Sequence, residues 1–246
     1  YCDDIADDPR PLEDKKNRLA NTRQLLRESM NNQSLDPVFT ALLDASSKFG
    51  IPIDYFNDVI DGVEMDLTWT RFKDFAQLRA YCHKVASVVG LICIEIFGYN
   101  DLMAKEHALD LGIAMQITNI IRDIKEDGQR GRIYIPLDEM EQFGYSEQDL
   151  MKGVRNSSFL NLMKFQTSRA RQYFAKGNRL IPLLSRESKV CTASLHDIYS
   201  SILDRIEDSG FDVFERRISL SMSEKLFITA KLWVGNLKPT IRLPRK

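Results

Sequence analysis

The sequence carries no surplus of charge of either sign. Lys and Arg number 34, Asp and Glu 35, and the formal net charge is −1. Nucleic-acid binding draws on a basic excess, so nucleic acid is excluded as the main partner. Cysteine is scarce and unpatterned: Cys2, Cys82, Cys93 and Cys191 form no CxxC pair and no zinc spacing. They read as reduced, mostly buried thiols, which points to a cytoplasmic protein. His83, His107 and His196 each lack a second histidine one helical turn away and read as structural. No apolar run reaches the length of a membrane span; the longest, Val85 to Phe97, is interrupted by Glu95. Strand alternation, a glycine-rich phosphate loop, an internal repeat and a signal peptide are also missing.

What is present is apolar residues at helical spacing. Hydrophobic residues make up 43% and charged residues 28%, enough to bury a sizeable core and too apolar for a disordered chain. Breaks at Pro9, Pro11, Gly50-Ile51-Pro52, Thr68 to Thr70, Gly98, Gly144 and Gly210 divide the chain into about eight to ten helices. Long pieces are expected from Phe72 to Gly98, from Asn100 or Asp101 to Gly128, and from Ser157 or Ser158 to Leu184. Shorter ones cover Ile53 to Met65, Cys191 to Ser209 and Met222 to Trp233. A turn follows Asn31, and the basic tail from Lys238 to Lys246 reads as a loose end. No linker exceeds a few residues, so residues 1–246 read as one all-α domain. The chain opens on Tyr1 inside a helical pattern, and the expectation is that one or more N-terminal helices precede it.

One stretch departs from a plain core helix. It is Gln116-Ile-Thr-Asn119-Ile-Ile-Arg122-Asp123-Ile-Lys-Glu126-Asp127. Gln116, Asn119, Asp123 and Asp127 are spaced by three, four and four residues and share one helix face, while four isoleucines occupy much of the rest. Asp123 and Asp127 fall about 6 Å apart. Ionised together, they repel by roughly 3 kcal/mol at an effective dielectric near 20. Either Arg122 and Lys125 neutralise them on a solvated face, or a hard divalent cation such as Mg²⁺ sits on the oxygen stripe. The amides of Gln116 and Asn119 need partners in so apolar a setting.

A second acidic stripe opens the chain. Asp3 and Asp7 share one face, and Asp4 and Asp8 the next. Acids at a helix C-terminus oppose the macrodipole, a conflict that a bound cation resolves. After Gly128 comes a short basic stretch whose Arg130 and Arg132 either pair with the acids or reach a metal-held diphosphate. Ser87 and Gly90 are small, for close helix packing or for a ligand chain against the backbone.

These residues resemble the squalene/phytoene synthase family. Asp3-x-x-x-Asp7 and Gln116-x-x-Asn119-x-x-Arg122-Asp123-x-x-x-Asp127 are similar to its two aspartate-rich motifs. Tyr81-Cys82, Gly131-Arg-Ile-Tyr-Ile-Pro136, Tyr199-x-x-Ile-Leu203, Phe214-x-Arg216-Arg217 and Leu220-Ser-x-x-x-Lys225-Leu226 add matches in the same order. The second aspartate motif is highly specific; a lone DxxxD is weak. Members usually place an arginine shortly before the first motif, and here Tyr1-Cys2 abuts Asp3. His83 stands where a second tyrosine is common, and Ser87 where glycine is common.

The resemblance implies the all-α isoprenoid-synthase helical bundle, with the two motifs facing each other across a central active-site channel. It implies a prenyltransferase that condenses two prenyl diphosphates head to head (1′–1) through a cyclopropylcarbinyl diphosphate. By analogy Asp3, Asp7, Asn119, Asp123 and Asp127 bind Mg²⁺ (or Mn²⁺). Arg122, Gln116, Tyr81, Arg132, Tyr199 and Arg216 contact or organise diphosphate. The leading expectation is a linear C30 product of the squalene or presqualene type from farnesyl diphosphate, with NADPH if squalene is formed. The alternative is phytoene or dehydrosqualene synthase of carotenoid biosynthesis; phytoene-type members take geranylgeranyl chains and need no reductant. A non-catalytic assembly or lipid-binding factor on the same fold predicts lost aspartates, and both motifs are intact. A head-to-tail prenyltransferase or terpene cyclase also uses paired acidic helices but lacks the full second pattern. Peripheral association with the inner face of the membrane, for product release, completes the expectations.

Overall fold

A computed structural model describes residues 2–31 and 36–237, apart from the side chains of Asp3, Asp7, Asn236 and Leu237. The turn expected after Asn31 and the basic tail lie outside the described residues. The chain begins with α1 (Cys2–Asp7), α2 (Leu12–Met30), α3 (Pro37–Phe49) and α4 (Ile53–Thr68). Next come α5 (Phe75–Cys82), a π-helical turn (His83–Ser87) and α6 (Val88–Phe97). Then follow α7 (Met103–Arg122), α8 (Ile124–Gln129), α9 (Leu137–Gln142) and α10 (Glu147–Lys152). The last elements are α11 (Ser157–Gly177), a 3₁₀ turn (Asn178–Leu183), α12 (Arg186–Asp208) and α13 (Met222–Leu237).

The breaks read from the sequence are built by ordinary caps. Asp36 accepts from the Val38 and Phe39 amides at 2.9 and 3.3 Å, with Pro37 opening α3. Gly50 and Gly98 end α3 and α6 at φ +66° and +72°, where a side chain would be strained. Several boundaries differ from expectation. α4 runs past Met65 to Thr68 and carries Asp66 inside its last turn. α12 begins five residues before Cys191, because Ser185 caps it by accepting from the Ser188 amide. The expected long helix starts at Phe75, capped by Asp74, and holds the π-helical turn in mid-course. The helical stretch Phe75–Phe97 is, by length and composition, long and apolar enough to cross a membrane. In the fold it packs against α4 and α7, with Leu78, Tyr81, Cys82 and Val88 buried.

α7 is the axis of the larger core. It contacts α11, α6, α12 and the π-helical turn, and Ile113, Ile117, Ile120 and Ile121 are all buried. Two glycine contacts let its neighbours approach closely. A Cβ on Gly112 would lie 2.5 Å from Ser87 Cα, and one on Gly177 would lie 2.8 Å from Leu111 Cα. Ser87 is buried and donates to the Leu109 carbonyl at 2.8 Å, and Gly90 sits against the Ala108 carbonyl. Both small residues therefore serve helix packing. A smaller cluster of Ile5, Leu19, Leu26, Phe39, Ile60 and Val63 joins α1, α2 and α3 to α4.

Candidate active site

The central helix expected to run unbroken to Gly128 is broken at Asp123, whose φ of −101° and ψ of 14° separate α7 from α8. Two links survive: the Asp123 amide reaches the Asn119 carbonyl at 2.8 Å, and the Asp127 amide reaches Asp123 at 2.9 Å. The stripe therefore stays on one side. Arg122 grips Asp123 with both ends of its guanidinium, Nε to Oδ1 at 2.8 Å and Nη2 to Oδ2 at 2.5 Å. Arg217, from the loop between α12 and α13, adds a second fork at 2.9 and 3.2 Å. Burial works against the Asp123 charge, but the two arginines prevail and hold its pKa below the usual value. Asp127 is in the opposite state. Burial, then the Asp123 charge, push its pKa up to about 7, against the pull of Arg130 and Arg132.

A second acid faces this stripe. The Tyr81 hydroxyl donates to Asp66 Oδ1 at 2.7 Å, and the Tyr134 hydroxyl donates to the same oxygen at 2.9 Å. Burial, then the Asp66 charge, raise both phenol pKa values. Tyr134 is brought here by backbone pairing of two loops. The Ile133 amide donates to Thr70 at 2.9 Å and the Leu137 amide to Phe72 at 2.9 Å. Gly131 turns the chain after α8 at φ +75°, and the Arg132 amide then returns to the Asp127 carbonyl at 2.9 Å. Arg132 is half-buried among Tyr134, Asp66 and Tyr81; burial disfavours its charge, yet these neighbours leave its pKa raised. Phe72 stacks on Tyr134 with centroids 5.5 Å apart and lies 5.2 Å from Tyr81.

The residues singled out in the sequence fall as follows. Gln116, Asn119, Asp123 and Asp127 share the α7–α8 edge, and Tyr81 and Arg132 meet at Asp66. Tyr199, on α12, is half-buried and packs against the main core. Arg216 is exposed and lines an open cleft of about 520 Å³ with Arg205, Asp208 and Arg217. The neighbour that reaches the acidic stripe is Arg217. The side chains of Asp3 and Asp7 lie outside the described residues; the backbone of α1 rests on α4 and α2. Asp8 is matched by Arg18 at 2.7 Å and by Arg10, and Lys15 donates to the Ala6 carbonyl. Part of the charge conflict at the end of α1 is therefore settled within the chain.

Sequence reasoning missed Asp66, Tyr134 and Arg217. The one local signal for Asp66 was an acid set between Met65 and Leu67 on an apolar helix.

The donor set suits a hard cation. Among the described residues no three carboxylate, histidine or cysteine groups converge as a metal cluster. Asn119 donates to Gln116 at 3.4 Å, and its buried Oδ1, four residues before Asp123 on the same stripe, has no partner among the described residues. A buried acceptor next to a carboxylate whose charge is penalised fits Mg²⁺ coordination completed by further oxygen ligands.

Comparison with known proteins identifies the family. The family model for squalene/phytoene synthase matches residues 1–224. The 15-cis-phytoene synthase of Synechocystis sp. is 36% identical over 94% of this chain and 72% of its own length. The phytoene synthase of Mycobacterium tuberculosis is 38% identical over 93% of this chain and 76% of its own. Among solved structures, a dehydrosqualene synthase in complex with ligand superposes with a TM-score of 0.84 at 25% identity, covering 95% of this chain and 83% of that one. Squalene synthase HpnC from Alicyclobacillus acidocaldarius gives 0.81 at 25% identity, covering 85% and 79%. The chain belongs to the squalene/phytoene synthase family and is a prenyltransferase of head-to-head condensation on the all-α isoprenoid-synthase fold.

Proposed function

We propose that the protein is a phytoene synthase, joining two geranylgeranyl diphosphates, in place of the C30 squalene type first expected. The observation that carries this reading is the gap in likeness. Relatives named phytoene synthase are 33–38% identical across nearly the whole chain, whereas the squalene and dehydrosqualene synthases among solved structures are 25% identical. Phytoene-type chemistry requires no NADPH.

Asn119, Asp123 and Asp127, with Asp3 and Asp7 of α1, would hold Mg²⁺ or Mn²⁺. Bound there, the metal supplies Lewis-acid stabilisation to a departing diphosphate. The chain's own residues do the rest. Gln116 fixes the Asn119 amide so that its oxygen is free. Arg132 and Arg216 offer guanidinium forks of the geometry that phosphate oxygens accept, and Arg122, held on Asp123 through Nε and Nη2, organises the site beside them. Tyr81 is held in place by Asp66 and Tyr199 by its packing on the core. The faces of Phe72, Tyr81 and Tyr134 suit an allylic cation, and their packing excludes the water that would quench it.

The proposed setting is the cytoplasmic face of a membrane. Met222, Leu226, Phe227, Trp233 and Val234 are exposed on α13. The sequence beyond it carries Lys238, Arg242, Arg245 and Lys246 and no acid. An apolar helix face followed in sequence by basic residues suits an anionic bilayer surface.

The test is incubation with geranylgeranyl or farnesyl diphosphate and Mg²⁺, with and without NADPH, followed by product extraction. The expected result is a C40 hydrocarbon from the C20 substrate, indifferent to NADPH. A C30 product formed in preference would return the protein to the squalene or dehydrosqualene branch, and absence of diphosphate release from either substrate would end the enzyme reading.

A further inference from the structure

We infer that Arg217 is a built-in counter-ion: it occupies Asp123 in the metal-free protein and passes to Glu126 when a divalent cation takes that carboxylate. The inference rests on the metal reading of Asn119, Asp123 and Asp127 proposed above.

Asp123 is over-subscribed. Each of its oxygens already accepts from both Arg122 and Arg217. A carboxylate with both oxygens held by two guanidiniums has little left for a metal, so one arginine must leave before a cation can bind. The two are not equally able to move. The Arg122 side chain is 14% exposed and grows from the residue next to Asp123 on the end of α7. The Arg217 side chain is 58% exposed and reaches in from a loop ninety-four positions away in sequence. It is the mobile member of the pair by both measures.

A landing site lies one helical turn on. Glu126 follows Asp123 by three residues and so falls on the same side of α8. Its Oε2 is buried and has no hydrogen-bond partner among the described residues. A buried carboxylate oxygen left unmatched is costly, and an N–H donor relieves it. Arg217 already lies within the electrostatic reach of Glu126 and Asp127, and both favour its charge. A divalent cation at Asp123 would repel the guanidinium, and Glu126 is the nearby acceptor still open to it. Without metal, two guanidiniums sit over the acids; with metal, Arg217 stays beside them as the partner of Glu126.

The test is direct Mn²⁺ titration, with free Mn²⁺ followed by electron paramagnetic resonance, in the absence of diphosphate and at low salt. Arg217→Gln removes the competitor and is expected to tighten Mn²⁺ binding roughly fivefold, the equivalent of a partly exposed ion pair. The same variant is expected to melt lower than wild type in chelator and to gain more from Mn²⁺. Glu126→Gln removes the landing site and is expected to weaken Mn²⁺ binding in the wild type, with no effect once Arg217 is already Gln. Unchanged or weaker Mn²⁺ binding in Arg217→Gln overturns the inference. An equal Glu126→Gln effect in both backgrounds also overturns it, because Glu126 would then act on the metal itself. Asp127→Asn separates the two readings. If it abolishes Mn²⁺ binding while Arg217→Gln has no effect, the metal site stands and the counter-ion fails. No saturable Mn²⁺ binding in any variant removes both.

Discussion

The Tyr81 hydroxyl donates a 2.7 Å hydrogen bond to Oδ1 of Asp66, an acid in the last turn of α4. Tyr134 shares that oxygen, and Arg132 lies beside both. One carboxylate thus gathers two phenols and a guanidinium from two other segments of chain. Asp66→Ala would leave two buried hydroxyls without their acceptor, a loss of about 1–3 kcal/mol. For a chain of this size each kcal/mol moves the melting temperature by roughly 2–4 °C. Turnover is expected to fall about a hundredfold, as when a substrate-positioning group shifts by an ångström or so. Asp66→Asn keeps an acceptor oxygen and is expected to melt near wild type while remaining impaired, because Arg132 loses its counter-charge. Thermal melts and steady-state kinetics on the two variants check this; wild-type melting and kinetics in Asp66→Ala would sink it.

Asp123→Ala is expected to lower turnover by two to three orders of magnitude, the usual range for removing a preorganised group that stabilises developing charge. Its fold should survive. Asp123 sits at a junction where the helix is already broken, and its removal also relieves the repulsion on Asp127. Circular dichroism in chelator should match wild type, with the melting temperature lowered by the lost Arg122 and Arg217 pairs, while product formation collapses. Near-normal turnover would remove Asp123 from the reacting centre.

The α7–α8 stripe was legible in the sequence because one helical period carries both its isoleucines and its oxygen ligands. The breaks at Gly50 and Gly98 were legible because proline and glycine act locally. Asp66, Tyr81 and Tyr134 were not legible as a group. They lie fifteen and sixty-eight positions apart, and they meet through backbone pairing of the loops around Thr70 and Ile133. No periodicity encodes that contact. The choice between Arg216 and Arg217 was equally hidden: adjacent residues in a loop point apart, and only the backbone path decides which one reaches Asp123. The π-helical turn left no mark in the pattern either, because His83 to Ser87 continue an apolar helical spacing.

That turn sets up the next prediction. Gly112 on α7 faces it so closely that an added Cβ would lie 2.5 Å from Ser87 Cα and 2.8 Å from Ser87 N. Backbone atoms cannot swing aside as a side-chain tip can. Gly112→Ala is therefore expected to push α7 from the π-helical turn and to strain the Ser87 bond to Leu109. The cost is about 1–3 kcal/mol, the range for overpacking a tight core. Gly235 on α13 is the control, since a Cβ there meets nothing within 4 Å. Gly235→Ala should melt at or above wild type, because alanine favours an exposed helix over glycine by up to about 1 kcal/mol. Equal melting temperatures for the two variants would show that the close approach of α7 carries no energetic weight.

The link between α2, α4 and the π-helical turn should be sensitive to acid. Asp61 on α4 accepts from Arg23 of α2 at 2.7 Å and from Lys84 of the turn at 2.8 Å. Burial opposes the Asp61 charge, but Lys84 and Arg23 outweigh it, so its pKa in the folded protein lies below the usual value. An unfolded aspartate titrates near 3.9. Between the folded value and about 4 the unfolded chain binds the extra proton, so stability falls as pH falls through that window. Above about pH 4 the contribution is present in full. The Asp61 side chain is 39% exposed, which limits each pair to the range of about 0.2–1 kcal/mol that solvent-screened ion pairs contribute. Asp61→Asn is therefore expected to melt a few degrees below wild type at pH 7, with the gap closing as pH drops below about 4 and narrowing in high salt. A gap that persists unchanged from pH 7 to pH 3 would assign the effect to packing at the α4 surface, since only an ionised Asp61 can lose its partners to a proton.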